Sequence, residues 1–96
     1  MNGKILKKLS LLIKDRKRSL PQDSYTSKLF KKGKIKIANK VGEEATETIS
    51  AFLGQGKREI TEEAADLFFH LLVLLEFSDL SFDDVMRVLE ERMKND

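Results

Sequence analysis

Residues 57–78, KREITEEAADLFFHLLVLLEFS, constrain the fold more than any other segment. Read as one helix, the run from Ala64 to Phe77 is apolar around almost its whole circumference, and such a helix belongs in the middle of a bundle. The same segment carries Glu62, Glu63, Asp66 and His70, of which Glu63, Asp66 and His70 share one narrow stripe (i, i+3, i+7). An unpaired buried carboxylate is costly or takes up a proton, so these acids require a cation, a hydrogen-bond partner or a wet cleft.

The segment upstream supplies a matching set. KVGEEATE, residues 40–47, places Glu43, Glu44 and Glu47 within little more than one turn of a helix predicted over about 34–53 and ended by the GQG turn at 54–56. On a wheel of 100° per residue, Ile35, Ala38, Gly42, Ala45, Ile49 and Phe52 form one apolar stripe, with Lys36, Lys40, Glu43, Glu44 and Glu47 opposite. Gly42 inside that stripe costs about 1 kcal/mol relative to alanine, which close approach of another helix would explain. A solvated face is the ordinary fate of a charge cluster and suits Glu43, Glu44 and Glu47 taken alone. It does not suit Glu63 and Asp66.

The short GQG link makes the two helices antiparallel neighbours, so the pairs Glu44/Glu47 and Glu63/Asp66 can converge on one point. Carboxylates on facing helices of a bundle hold metal ions, and with oxygen ligands only the expected ion is Mg²⁺, with Mn²⁺ a substitute. Four or five carboxylates exceed what one Mg²⁺ requires, so either some stand behind the ligands or two ions bind.

Elsewhere, Ile5, Leu6, Leu9, Leu12 and Ile13 predict a first helix over about 3–18. LPQDSYTS, with the single proline at Pro21, reads as the longest loop, and SKLFKK as a short helix ended by Gly33. Ser81 and Asp84 resemble a capping box opening a last helix over about 82–94. No strand-like alternation appears, so the expected fold is all-α, a small bundle of four to five helices forming one domain over 1–96. A chain of 96 residues buries a modest core, and completion by homodimerisation is expected.

Charge is divided along the chain. Residues 1–40 hold 13 lysines and arginines against two acids, a charge of +11, and residues 41–96 carry −9. Such asymmetry suits a nucleic-acid or membrane-surface contact, or one site that handles anions with one half and cations with the other. Arg16, Lys17, Lys40 and the hydroxyls of Ser24, Tyr25 and Thr26 are candidates to surround a polyphosphate held on the metal. The plainer readings are an i,i+4 pair of Lys40 with Glu44 and a basic helix end at Arg16–Arg18. For His70, a satisfied core residue bonded to something like Asp66 is weighed against substrate contact.

Absence of cysteine excludes disulfides, thiolate metal sites and a cysteine nucleophile, and is compatible with a reducing cytoplasm. The N-terminal MNGKILKKLSLLIKDRKR interleaves lysines with apolar residues and does not read as an export signal. The longest apolar run is broken by Asp66 and His70 and falls short of the roughly 20 residues that span a bilayer, so a soluble, cytoplasmic protein without a membrane partner is expected. No GxxxxGKS, GxGxxG, HExxH or GxSxG occurs, so bound phosphates would rely on metal and scattered basic side chains.

From DRK (15–17) through Pro21, SYTSKLF (24–30), Gly33, KVGEEATE (40–47), EEAAD (62–66) and HLLVLL (70–75), the chain resembles the phosphoribosyl-ATP pyrophosphohydrolases of histidine biosynthesis, within the all-α nucleoside triphosphate pyrophosphatases. The resemblance implies hydrolysis of the α–β phosphoanhydride of phosphoribosyl-ATP to phosphoribosyl-AMP and pyrophosphate, with Mg²⁺ on Glu44, Glu47, Glu63 and Asp66. Glu43 also matches the motif, and Glu43, Glu44 and Glu47 are the candidates for catalytic proton transfer. Phe69 departs from relatives that carry tyrosine there. The resemblance further implies a dimer with sites near helices of both subunits, and the cyclohydrolase of the next step on a separate chain.

Two other readings stand beside it. A broad nucleoside triphosphate pyrophosphatase would use the same acids without needing SYTxxLF. A non-catalytic helical dimer binding nucleic acid through its basic half would show steep salt dependence and indifference to Mg²⁺.

Overall fold

The structure, a computed structural model, describes residues 4–96. Five helices follow one another: α1 (Lys4–Ser19), α2 (Tyr25–Lys32), α3 (Lys34–Gly54), α4 (Lys57–Phe77) and α5 (Phe82–Met93). No strand is present among the described residues, and the all-α expectation holds. The boundaries of α3, α4 and α5 fall within a residue of those expected, whereas the expected start at residue 3 lies outside the described residues.

α2 is the element misjudged from sequence. It begins at Tyr25, not at Ser27, because Ser24 serves as its N-cap, the side-chain oxygen accepting the Ser27 N–H at 3.2 Å. Tyr25 and Thr26 therefore sit in a helical first turn and not in a loop. At the other end Gly33, at φ 93° and ψ −169°, both closes α2 and opens α3, a backbone conformation essentially reserved for glycine. Its N–H reaches Leu29 O at 3.0 Å while its own carbonyl accepts from Ile37 N at 3.1 Å.

α4 ends in a Schellman motif: Leu80 N–H donates to Leu75 O at 2.8 Å and Asp79 N–H to Glu76 O at 3.1 Å, with Asp79 left-handed at φ 59°. Lys17 of α1 reinforces this end, its ammonium donating to the Glu76 carbonyl at 2.5 Å and to the Asp79 carboxylate at 2.9 Å. α5 starts as expected, with the Asp84 carboxylate accepting the Ser81 N–H at 2.8 Å.

The core consists of Ile13, Leu29, Ile37, Leu72 and Val73, bordered by partly buried Leu6, Leu9, Phe30, Phe69 and Phe77 among others. Phe30 and Phe77 stack with ring centroids 6.5 Å apart. α4 packs against α1, α2 and α3, the central position its sequence demands. No helix among the described residues is long and apolar enough to cross a membrane.

α3 is rotated relative to what its apolar stripe suggests. Ile37, Glu44 and Ala51 face the rest of the chain, while Ile35 (74% exposed), Ile49 and Phe52 (71% exposed) point outward. The inward line lies roughly 130° around the wheel from the apolar stripe. Among the described residues no other helix approaches Gly42 closely, since a Cβ there would meet nothing within 4 Å. The rotation sets the Glu44 side of α3 against Glu63 and Asp66 of α4, an arrangement of like charges that the two helices alone do not favour.

Candidate metal centre between two helices

Glu59, in the first turn of α4, accepts the Gly56 N–H at 3.1 Å and so fixes the start of that helix right after α3 ends. Antiparallel pairing from so short a link brings residue 44 of α3 level with residues 63 and 66 of α4. Carboxylate oxygens of Glu44, Glu63 and Asp66 lie within 4.8 Å of one another. Glu47 lies against both Glu44 and Glu63. The convergence expected from spacing is therefore present, with Glu47 beside the three oxygens that converge most closely.

These acids lack what a buried acid normally has. Glu44 is only 6% exposed, and Glu44 Oε2 and Glu63 Oε2 are both buried with no hydrogen-bond partner. Burial, followed by the neighbouring Glu47 charge, holds the Glu44 carboxyl above the usual carboxylate range. The Glu63 carboxyl is pushed up to about 6, first by a proton shared with Glu47, then by desolvation and the charges of Glu47, Glu44 and Asp66. Two carboxyls share a proton only while one remains protonated. Once both ionise, their oxygens confront each other.

Lys40 is the cation beside this group. Its ammonium donates to Glu43 Oε1 at 2.8 Å and lies 3.6 Å from Glu44 Oε1. The bond to Glu43 raises the Lys40 pKa and lowers that of Glu43. The expected pair with Glu44 thus exists, but the closer partner is the exposed Glu43. One ammonium facing four carboxyl groups leaves most of their charge unanswered, and the buried, partnerless oxygens fit a divalent cation held by oxygen donors.

The remaining candidates separate into two groups. Tyr25 and His70 stand beside the acids: the Tyr25 hydroxyl lies 3.0 Å from His70 Nε2, and His70 Nδ1 lies 2.7 Å from the Asp66 carbonyl. The partner expected for His70 was Asp66, and it is the backbone of that residue that bonds the ring. Arg16 and Lys17 are not brought to the cluster within the chain. Arg16 pairs with Asp15 at 2.8 Å, and Lys17 caps the far end of α4, where Glu76 lies roughly 15 Å along the axis from Asp66. Ser24 is occupied as the α2 cap, and Thr26 lies half-buried in the first turn of that helix.

Sequence reasoning missed the buried Glu76, which accepts from Ser10 Oγ at 3.2 Å. The available signal was Ser10 itself, a hydroxyl facing inward next to Leu9 and Ile13 on an otherwise apolar side of α1.

Comparison with known proteins places this geometry in a family context. Residues 6–93 match the phosphoribosyl-ATP pyrophosphohydrolase family. The chain is 48% identical over 90 residues to the phosphoribosyl-ATP pyrophosphatase of Metallosphaera sedula, covering 94% of this chain and 97% of that protein. It is 48% identical over 94 residues to the corresponding protein of Pyrobaculum islandicum, covering 98% of this chain and all of its relative. Identity to that of Sulfolobus acidocaldarius is 43% over 94 residues, with 98% and 99% covered.

Proposed function

This chain belongs to the phosphoribosyl-ATP pyrophosphohydrolase family, and from that premise we propose that it hydrolyses the α–β phosphoanhydride of phosphoribosyl-ATP to phosphoribosyl-AMP and pyrophosphate, a step of histidine biosynthesis, with Mg²⁺ as its cation. The observation that carries this reading is the set of Glu44, Glu63 and Asp66 oxygens within 4.8 Å of one another, with two buried oxygens left without partners.

Glu44, Glu63 and Asp66 would hold the cation, with Glu47 at its edge. When bound, the cation supplies positive charge against the phosphate oxygens and a more acidic water. Glu47 stands beside the three converging oxygens and is the carboxyl available to take the proton as water attacks a phosphorus of the anhydride and the bridging P–O bond breaks. Lys40, kept protonated by its acidic neighbours, offsets charge that builds on the departing oxygen. Glu43 holds Lys40 in place through the 2.8 Å bond. No covalent intermediate with the protein is required.

The outward apolar stripe of α3 gives the proposed homodimer its surface. Ile35, Ile49, Phe52 and Leu53 are too exposed and too contiguous along one helix for a monomer in water. Pairing through this face also supplies the close helix approach that Gly42 permits. Phe52→Glu is expected to convert the dimer to monomer in sedimentation, and an unchanged dimer would refute this face as the interface. The cytoplasm is the proposed site of action, with the following cyclohydrolase step on a separate chain.

The deciding experiment measures pyrophosphate release from phosphoribosyl-ATP, dUTP and dCTP, each with and without Mg²⁺. Mg²⁺-dependent release favouring phosphoribosyl-ATP is expected. Preference for a deoxynucleotide, or equal release without metal, would overturn the assignment.

A further inference from the structure

The half-exposed Tyr25 hydroxyl has one proton, and its contact with a neutral His70 ring decides where that proton goes. The Asp66 carbonyl only accepts, so His70 Nδ1, 2.7 Å away, carries a proton. In the neutral imidazole that leaves Nε2 as an acceptor, and its partner at 3.0 Å is the Tyr25 hydroxyl, which must donate. The ring has little freedom to change this arrangement. It is 6% exposed and meets Phe69 edge-on at a centroid distance of 5.0 Å and Tyr25 at 6.0 Å.

The wiring has a direction: backbone carbonyl, imidazole, phenol. With its proton committed inward, the Tyr25 oxygen offers only lone pairs outward. A phosphate oxygen has no proton to give to a lone pair. A sugar hydroxyl has one.

We propose that Tyr25 is a specificity residue that accepts a hydrogen bond from a ribose hydroxyl of the substrate, and that His70 is the positioning residue that fixes Tyr25 in this acceptor state. The proposal rests on the nucleotide reading of the site and deepens it. It assigns Tyr25 to the sugar, and leaves the phosphates to Lys40 and the carboxylate-held cation. A bond of this kind is selective, because a ligand that covers the oxygen without offering a hydroxyl leaves the acceptor unmatched.

Tyr25→Phe removes the oxygen from a half-exposed side chain and is expected to fold normally. It should raise KM for phosphoribosyl-ATP about tenfold with kcat nearly unchanged, and weaken the nucleotide product as an inhibitor to the same degree, each tenfold corresponding to about 1.4 kcal/mol. Inhibition by magnesium pyrophosphate, which has no sugar, should stay the same. Equal weakening of both inhibitors, or of pyrophosphate alone, would overturn the proposal.

His70→Asn retains a donor for the Asp66 carbonyl but not the acceptor for Tyr25. It should reproduce the KM effect, and the double variant should be no worse than either single one; additive losses would refute the coupling. The wiring itself is testable without substrate, because His70 is the only histidine. Nitrogen-15 NMR at pH 7.5 should find the proton on Nδ1, with the Nε2 resonance moved by Tyr25→Phe. A proton on Nε2, or on both nitrogens, would sink the proposal even if the protein hydrolyses phosphoribosyl-ATP. Conversely, failure to hydrolyse that substrate with the Nδ1 proton in place would count against the assigned activity and not against the wiring.

Discussion

Glu44 and Glu76 are almost equally withdrawn from water, at 6% and 5% exposure, yet they lie in opposite circumstances. Glu76 accepts from Ser10, and its backbone carbonyl is held by Lys17. Glu44 has one oxygen without a partner and is pressed against three other carboxyls. A buried acid therefore does not by itself mark chemistry. Glu76 ties α1 to α4 through matched donors, whereas the charge at Glu44 is left for something outside the chain to match.

The largest contrast should come from neutralising each side. Glu63→Gln and Asp66→Asn should each lower turnover by at least about a hundredfold, the scale on which a positioned charge-stabilising group acts. Their melting temperatures should hold or rise, because like charges have been removed. Near-normal rates in both would break the distinction between the two ends of α4.

A cation should stabilise the acidic end alone. At about a hundred times its Kd it adds about 2.7 kcal/mol to stability, read as a higher melting temperature with Mg²⁺ or Mn²⁺. The gain depends on pH. Glu63 titrates near 6 in the fold and near 4.5 when unfolded, so between those values the folded state binds more protons, and this group's contribution to stability falls as pH rises. Without metal the protein should thus become more stable through Glu63 as pH drops from about 6 towards 4.5, while the benefit of added metal shrinks over the same window. Glu63→Gln should remove both trends. Their survival in that variant would assign them elsewhere.

Ser10→Ala tests the satisfied end. Losing one donor to a buried carboxylate should cost about 1–2 kcal/mol, measured by denaturant unfolding, and leave kcat unaltered. The smallest effect is expected at Glu62, next to Glu63 in sequence but exposed and only 3.6 Å from Arg58. Glu62→Gln should change stability by less than about 0.5 kcal/mol and activity not at all. A large loss of activity there would show that position along α4 matters more than whether an oxygen is buried and unpaired.

Much of this was legible in the sequence because helical periodicity and the short GQG link are local signals. They give the helices and bring Glu44 and Glu47 to Glu63 and Asp66 without any knowledge of packing. Two things were not legible. The orientation of α3 was one, since Glu44 faces inward and Ile49 and Phe52 face outward against the apolar stripe that periodicity marks. The roles of Tyr25 and Lys17 depended on caps and side-chain bonds to residues 45 and 59 positions away. Periodicity carries no trace of such contacts.

Gly33 joins α2 to α3 through one backbone conformation with no intervening loop. The helix bearing Tyr25 and the helix bearing Lys40 are thereby two arms of a single elbow, and its angle sets the gap between the phenol oxygen and the ammonium. A side chain at this joint would strain the backbone and leave both groups themselves unaltered, so the spacing proposed to match sugar and phosphate is held by a residue with no side chain.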